Sequence, residues 1–303
     1  MSPALEVLAT GPLVLVQDLG RPGLAAVGVG RSGAADRTAH HLGARLVGHP
    51  PGLASLEVLL GGVSVRAHGR LTVALTGAAA PALLDGRPVG HASLVDVPDG
   101  GVLTLGMPSA GVRTYLTVRG GVDVAPVLRS RSTDTLSGVG PPPVRVGDLL
   151  PVGDPGGTFP TVDHVAGPPH HVRSATRSGH PDGTTVLEVL TGPRADWVGG
   201  WATGLSGLLT GTWHVSGQSD RIGLRLSGSR VGRTQATRDR ELPTEGMVRG
   251  AVQVPPGGEP VVFLADHPVT GGYPVVGVLT ASACDRAAQL RPGDPVRLTR
   301  APA

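Results

Sequence analysis

Leu5-Glu6-Val7-Leu8-Ala9-Thr10-Gly11-Pro12, near the start of the 303-residue chain, returns past its middle as Leu187-Glu188-Val189-Leu190-Thr191-Gly192-Pro193. The closing stretches echo each other too. Arg145-Val146-Gly147-Asp148-Leu149 is matched by Arg291-Pro292-Gly293-Asp294-Pro295. A Gly-Asp turn between apolar runs is a common loop signal, so one echo alone says little. Two echoes in the same order favour a duplicated architecture.

Working outward, each half consists of short β-type runs punctuated by turns, at 13–16, 56–60, 71–75, 102–105, 114–118, 261–264 and 275–279. One segment differs. Residues 34–47 place Leu42, Leu46 and Val47 at helical spacing, with Ser32 as N-cap and Asp36 in the first turn, where its charge suits the helix dipole. A shorter helical counterpart is expected after Ser219. Residues 155–185 are rich in Gly, Pro, His and Ser and read as a linker, which divides the chain into 1–154 and 186–303. The expected class is mainly β with a few short helices.

Composition supports this. With 48 Gly, 29 Pro and only two Phe, the core must come from Val, Leu and Ala, which favours many short strands. The sequence contains no lysine, so all 26 basic residues are arginine. Such a chain cannot carry a biotinyl-lysine, a Schiff-base lysine or a P-loop lysine. A net charge of +3 gives no reason to expect nucleic-acid binding. No apolar run approaches the roughly 20 residues needed to span a bilayer. A lone cysteine, Cys284, and the lack of a secretory leader pattern make the cytoplasm the expected compartment.

Gly28-Val29-Gly30-Arg31-Ser32-Gly33 spells G-x-G-x-x-G before a helix, but the run ahead of it is cut by Gly20-Arg21-Pro22-Gly23 and no further βαβ units follow. A dinucleotide turn is rejected on that context. The pairs His40-His41 and His170-His171 lack a third ligand at useful spacing, so no metal site is expected. Cys284 reads as a small buried filler. No G-x-S-x-G elbow is present.

Three constellations remain. Gln17, Asp18 and Arg21 stand among glycines ahead of Ser32 and Asp36, where backbone N–H groups and a helix start suit an anion. Gln253 precedes a loop in which Asp266, His267, Thr270, Gly271, Gly272 and Tyr273 crowd acid/base groups, hydroxyls and bare backbone donors together. Residues 221–240 hold six arginines, Arg221 foremost, and offer a positive field.

These motifs carry a resemblance. Val16-Gln17-Asp18-Leu19-Gly20-Arg21-Pro22-Gly23 resembles the opening motif of the 5-oxoprolinase C-subunit family, also known as the second allophanate hydrolase subunit or KipA-type proteins. The likeness continues through Tyr115-Leu116, Gly120-Gly121-Val122-Asp123, Ser130-Arg131-Ser132-Thr133, Ser219-Asp220-Arg221-Ile222-Gly223, Gln253-Val254-Pro255 and Thr270-Gly271-Gly272-Tyr273-Pro274. Departures are Ala44-Arg45 and Gly48-His49, where Asn is usual at the second position, and Arg129, where Gly is usual.

The resemblance implies two cyclophilin-like β-barrel domains and a complex with a KipI-like B subunit and an A subunit. It also implies ATP-dependent opening of 5-oxo-L-proline to L-glutamate, with magnesium held through the complex and no covalent biotin on this chain. The candidate catalytic residues are then Asp266, His267 and Tyr273. Those for substrate or ATP are Gln17, Asp18, Arg21, Ser32, Asp36, Arg221, Gln253, Thr270, Gly271 and Gly272, with the 17–21 turn and the 266–273 loop expected to face a shared cleft at the subunit interface. The alternatives are a carboxyltransferase component of a urea carboxylase or allophanate hydrolase system, or a KipA-like regulator that binds a KipI-like kinase inhibitor.

Overall fold

A computed structural model describes residues 2–154, 156, 159, 183–199 and 206–302. Most of the 155–185 stretch, including His170-His171, lies outside the described residues. The chain is mostly β and divides into two compact units, one holding described residues 2–22, 32–154, 156 and 159, the other holding 23–31, 183–199 and 206–302.

Among the described residues the first unit contains eleven strands: β1 (Ala4–Ala9), β2 (Leu13–Gln17), β3 (Ser55–Leu59), β4 (Ser64–His68), β5 (Leu71–Gly77), β6 (Ala82–Leu84), β7 (Arg87–Pro88), β8 (Leu94–Val97), β9 (Val102–Leu105), β10 (Arg113–Val118) and β11 (Leu149–Pro151). They form two sheets, ordered β11-β1-β4-β9-β6-β7 and β2-β3-β10-β5-β8. One core unites them, with Leu5, Val7, Val65 and Leu103 from the first meeting Val16, Leu56, Val73 and Leu116 from the second. Strands with one solvated face alternate, as Val65 and Ala67 do in β4. β10 is buried along its whole length. Its second face, with that of β5, lies under the helix α1 (Arg37–Val47), where Leu42, Leu46 and Val47 pack on Ala74, and Ala39 on Tyr115. The helix lies close because Gly43 has no side chain: a Cβ there would come within 2.3 Å of Thr117 Oγ1.

α1 begins later than the sequence pattern suggests. Its N-cap is Asp36, whose carboxylate accepts from Ala39 N at 2.9 Å, whereas Ser32 is not the cap. Ser32 sits at φ 54° and donates its hydroxyl to Thr133 O at 3.1 Å, so its side chain is committed to a distant strand connection. Gly48, at φ 67°, ends the helix in the left-handed conformation that glycine adopts without strain.

The second unit contains β12 (Thr185–Thr191), β13 (Val198–Gly199), β14 (Trp213–Val215), β15 (Gly223–Gly228), β16 (Gly232–Arg233), β17 (Glu245–Gly246), β18 (Ala251–Gln253), β19 (Val261–Phe263), β20 (Thr270–Gly271), β21 (Val275–Leu279) and β22 (Pro295–Arg300). Seven of them close a barrel in the order β12-β21-β18-β19-β15-β14-β22, sealed by parallel pairing of β12 with β22. Its hydrophobic core is aliphatic apart from Cys284 and Trp213, the latter fully buried and donating Nε1 to Leu208 O at 3.1 Å. No helix follows Ser219. Asp220 Oδ1 instead accepts from Ile222 N at 2.8 Å and Gly223 N at 3.0 Å, turning the chain directly into β15. The short α-helices among the described residues of this unit are α2 (Ser206–Thr210) and α3 (Ala281–Ala287), the latter capped by the Thr280 hydroxyl.

The two sequence echoes have a geometric basis. Gly11 and Gly192 both end a strand against another backbone, where an added Cβ would lie 1.8 Å from Gly61 O and 2.5 Å from Val275 O. Each Gly-Asp turn is closed by its own aspartate, Asp148 Oδ2 accepting from Arg145 N at 2.7 Å and Asp294 Oδ2 from Arg291 N at 2.8 Å. Gly147 N then bonds Val7 O, and Gly293 N bonds Val215 O, each at 2.8 Å. The turns are alike, but they clamp strands of different position in the two units.

Candidate functional site

In the first unit the 17–21 turn is locked against residues 130–133. Gln17 Nε2 donates to Thr133 O at 2.8 Å, and its Oε1 is buried with no hydrogen-bond partner among the described residues. Asp18 accepts from Gly20 N at 2.7 Å, Ser130 Oγ at 2.7 Å, Ser132 Oγ at 2.6 Å and Arg131 N at 2.6 Å. Arg21 donates to Ser132 O. All three predicted side chains are buried, as are Ser32 and Asp36. With both carboxylate oxygens taken up by bonds within the turn and to residues 130–132, Asp18 is anchored in place. Its evident work is to fix the shape of the turn.

A second polar group sits beneath the start of α1. Tyr115 Oη donates to Glu57 Oε2 at 2.7 Å and accepts from Asp36 N at 2.8 Å, while Ala35 N donates to the same Glu57 oxygen at 3.0 Å. Arg113 Nε approaches Glu57 Oε1 at 3.3 Å. Burial, and then the neighbouring Glu57 charge, push the Tyr115 hydroxyl well above its ordinary range, so it stays protonated and donates. His40 lies edge-on to Tyr115, and burial lowers its imidazole to about 4. Sequence reasoning missed Glu57, Arg113, Ser55 and His40 as members of a network. The signal available was a run of polar residues at inward positions of otherwise apolar strands, visible only once strand register is known.

In the second unit Asp266 is clasped by Arg221, with Nε to Oδ2 at 2.8 Å and Nη2 to Oδ1 at 3.0 Å, and both side chains are nearly inaccessible. Asp266 N also donates to Arg221 O at 3.0 Å. Gln253 Nε2 donates to Tyr273 O at 2.9 Å and supports the loop from below. Gly271 leaves room for the Gln253 amide, since a Cβ would lie 2.7 Å from Gln253 Nε2 and 3.1 Å from Met247 Sδ. His267 Nδ1 lies 2.7 Å from Pro268 O, with its ring edge-on to Phe263. Thr270, Gly272 and Tyr273 are exposed, Tyr273 to 45%. The loop thus divides into a buried ionic base, Asp266 with Arg221, and an accessible tip carrying two hydroxyls and two glycines.

Of the 221–240 arginines, Arg233 and Arg240 lie over the Trp197 ring. Cys284 is buried at the foot of Gly250, where a Cβ would meet its sulfur at 2.7 Å. Among the described residues no cluster of three or more His, Cys, Asp or Glu is arranged to hold a metal ion, and no helix is long and apolar enough to cross a membrane.

Residues 27–300 match the family described as carboxyltransferase domain, subdomains A and B, and the chain belongs to that family. Within it, the chain is 33% identical to the 5-oxoprolinase C subunit of Escherichia coli (strain K12), over 98% of this chain and 91% of the relative. It is 30% identical to urea amidolyase of Saccharomyces cerevisiae (strain ATCC 204508 / S288c), over 97% of this chain but 16% of the relative. Among solved structures, TTHA0988 aligns over 98% of this chain with TM-score 0.83 and 31% identity. The urea amidolyase of K. lactis aligns over 99% with TM-score 0.83 and 27% identity. This chain spans 56% of the TTHA0988 chain and 19% of the amidolyase chain.

Proposed function

We propose that this protein is the C subunit of a heteromeric, ATP-dependent 5-oxoprolinase, acting with an A subunit and a KipI-like B subunit in the cytoplasm. The observation that carries the reading is the nearly end-to-end match to the 5-oxoprolinase C subunit, against a match to only a small part of urea amidolyase. A lactam is a poor electrophile, because its nitrogen lone pair is delocalised into the carbonyl. Transfer of the ATP γ-phosphoryl group to the lactam oxygen activates the carbon, after which one water adds, the ring C–N bond breaks to leave an acyl phosphate, and a second water hydrolyses that to release phosphate. The balance is 5-oxo-L-proline, ATP and two waters giving L-glutamate, ADP and phosphate.

In this reading Thr270, Gly271, Gly272 and Tyr273 meet the small polar substrate, with His267 beside them as the acid/base candidate. Asp266, Arg221 and Gln253 are positioning residues that hold the tip, and Gln17, Asp18, Arg21, Ser32 and Asp36 do the same for the 17–21 turn. With no lysine in the chain, arginines, backbone donors and the partner subunits hold ATP, and its magnesium is held through the complex. The test is reconstitution with A and B subunits, measuring glutamate released from 5-oxo-L-proline. Release is expected only with ATP and all three proteins. Thr270→Val and Tyr273→Phe alter exposed groups, so they are expected to lower kcat/KM about tenfold or more without impairing assembly.

The family description and the likeness to urea amidolyase favour one other reading, a carboxyltransferase component. Because this chain cannot carry biotin, that reading requires a separate carrier protein. Stable assembly without glutamate release, together with carboxyl transfer from a carboxybiotinyl carrier to urea, would replace the first reading by the second. Assembly with neither activity would point to a regulator of the KipA type.

A further inference from the structure

A cavity of about 220 Å³ opens in the second unit, lined by Ser216, Gln218, Arg225, Pro255, Glu259 and Pro260, among others. Its frame is fixed by backbone hydrogen bonds: Leu226 N to Pro260 O at 2.9 Å, Ser216 N to Arg225 O at 2.8 Å, and Gly258 N to Pro255 O at 2.9 Å. Arg225 N is further held by Ser219 Oγ at 3.0 Å. Pro255 and Pro260 stiffen the lining, so the concavity exists before any ligand arrives. Its volume falls below the roughly 300 Å³ where sites for drug-sized ligands begin, which restricts the occupant to a small molecule.

The charges decide what kind. Arg225 and Glu259 are both exposed at this cavity, and among the described residues neither forms an ion pair, with each other or with any third group. Some charged side chains of the same unit are taken up in pairs, as Arg221 is with Asp266, Arg249 with Asp285 and Arg286 with Glu188, and so cannot serve a ligand, whereas these two can. A cation and an anion left separately available on one small concave surface complement a ligand that carries both signs. Guanidinium binds carboxylate in two-pronged fashion, and a carboxylate accepts from an ammonium. Ser216 and Gln218 add a hydroxyl and an amide beside them.

We propose that this cavity binds the zwitterionic head of a free α-amino acid, carboxylate to Arg225 and ammonium to Glu259. The site stands independently of the oxoprolinase reading, but the two meet in one respect. A lactam has a carboxylate and no basic nitrogen, whereas the ring-opened product has both, so this site would distinguish product from substrate.

The test is titration calorimetry on the purified chain at neutral pH, with L-glutamate, N-acetyl-L-glutamate and 5-oxo-L-proline as probes, each up to about 10 mM, tenfold above the ~1 mM scale of a weak small-molecule site. Saturable binding of L-glutamate alone is expected, weakened about tenfold or more by Arg225→Gln and by Glu259→Gln. Both positions are exposed, so an unchanged Tm should accompany each substitution. Absence of L-glutamate binding over this range, equal binding of N-acetyl-L-glutamate, or binding indifferent to both substitutions would overturn the proposal. Binding is read without turnover, so an inactive reconstituted complex would leave this inference standing while removing the oxoprolinase reading, and the reverse holds equally.

Discussion

His40 places an imidazole in the interior of the first unit, with Nδ1 2.9 Å from Ser55 Oγ and Nε2 2.9 Å from Pro51 O. Since the carbonyl can only accept, Nε2 carries the proton, and Nδ1 accepts from the serine. The ring is neutral at pH 7, burial having lowered it to about 4. An unfolded chain binds this proton near pH 6.5 and the folded one does not until about 4, so folding is fully favoured above 6.5 and loses stability as pH falls through that window. The expected loss is on the order of 3 kcal/mol. Urea unfolding between pH 7.5 and 4.5 should show the slope, and His40→Gln should flatten it. Asp266 gives a different expectation. Asp266→Ala leaves the Arg221 charge buried without its carboxylate, which costs about 3–5 kcal/mol. The double variant Arg221→Met with Asp266→Leu should recover much of that loss in urea unfolding. An activity loss in Asp266→Ala is therefore interpretable only beside its stability.

At the level of single elements, the start of α1 shows what local sequence can and cannot specify. Both Ser32 and Asp36 are good capping residues, and both precede the periodic apolar run. The choice between them is made by Thr133 O, far along the chain, which takes the Ser32 hydroxyl and leaves the cap to Asp36. Asp36→Ala should cost about 1–2 kcal/mol in urea unfolding. The echoed Gly-Pro and Gly-Asp segments were legible because their cause is local: a glycine against a neighbouring backbone, or a four-residue turn closed by its own aspartate. Gly192→Ala should destabilise by about 1–3 kcal/mol, since the contact atoms are backbone of 275–277 and cannot rotate away. The Glu57–Tyr115–Arg113 group was illegible for the opposite reason, because β3 and β10 must pair before these side chains share a surface. In the candidate loop, the sequence located the polar residues but not their division into a buried pair and an exposed tip.

At the scale of the whole chain, the mainly β character followed from runs of Val and Leu between turns, and membership of the carboxyltransferase family from motifs scattered along nearly its full length. What the pattern of runs does not encode is how each set of strands closes. Eleven strands in the first unit settle as two sheets over one core, and seven in the second as a ring. Closure depends on which edges meet, a choice made between residues with no proximity in sequence. The seam of that ring pairs Thr185 with Val296 and Val189 with Arg300, more than a hundred residues apart. During synthesis the first strand of the barrel must therefore wait, one edge unpaired, until nearly the whole unit has been translated. Late, non-local contacts of this kind slow folding and expose sticky strand edges meanwhile. Chains halted before residue 295 should be protease-sensitive throughout the second unit, and elongation past residue 300 should confer protection in a single step.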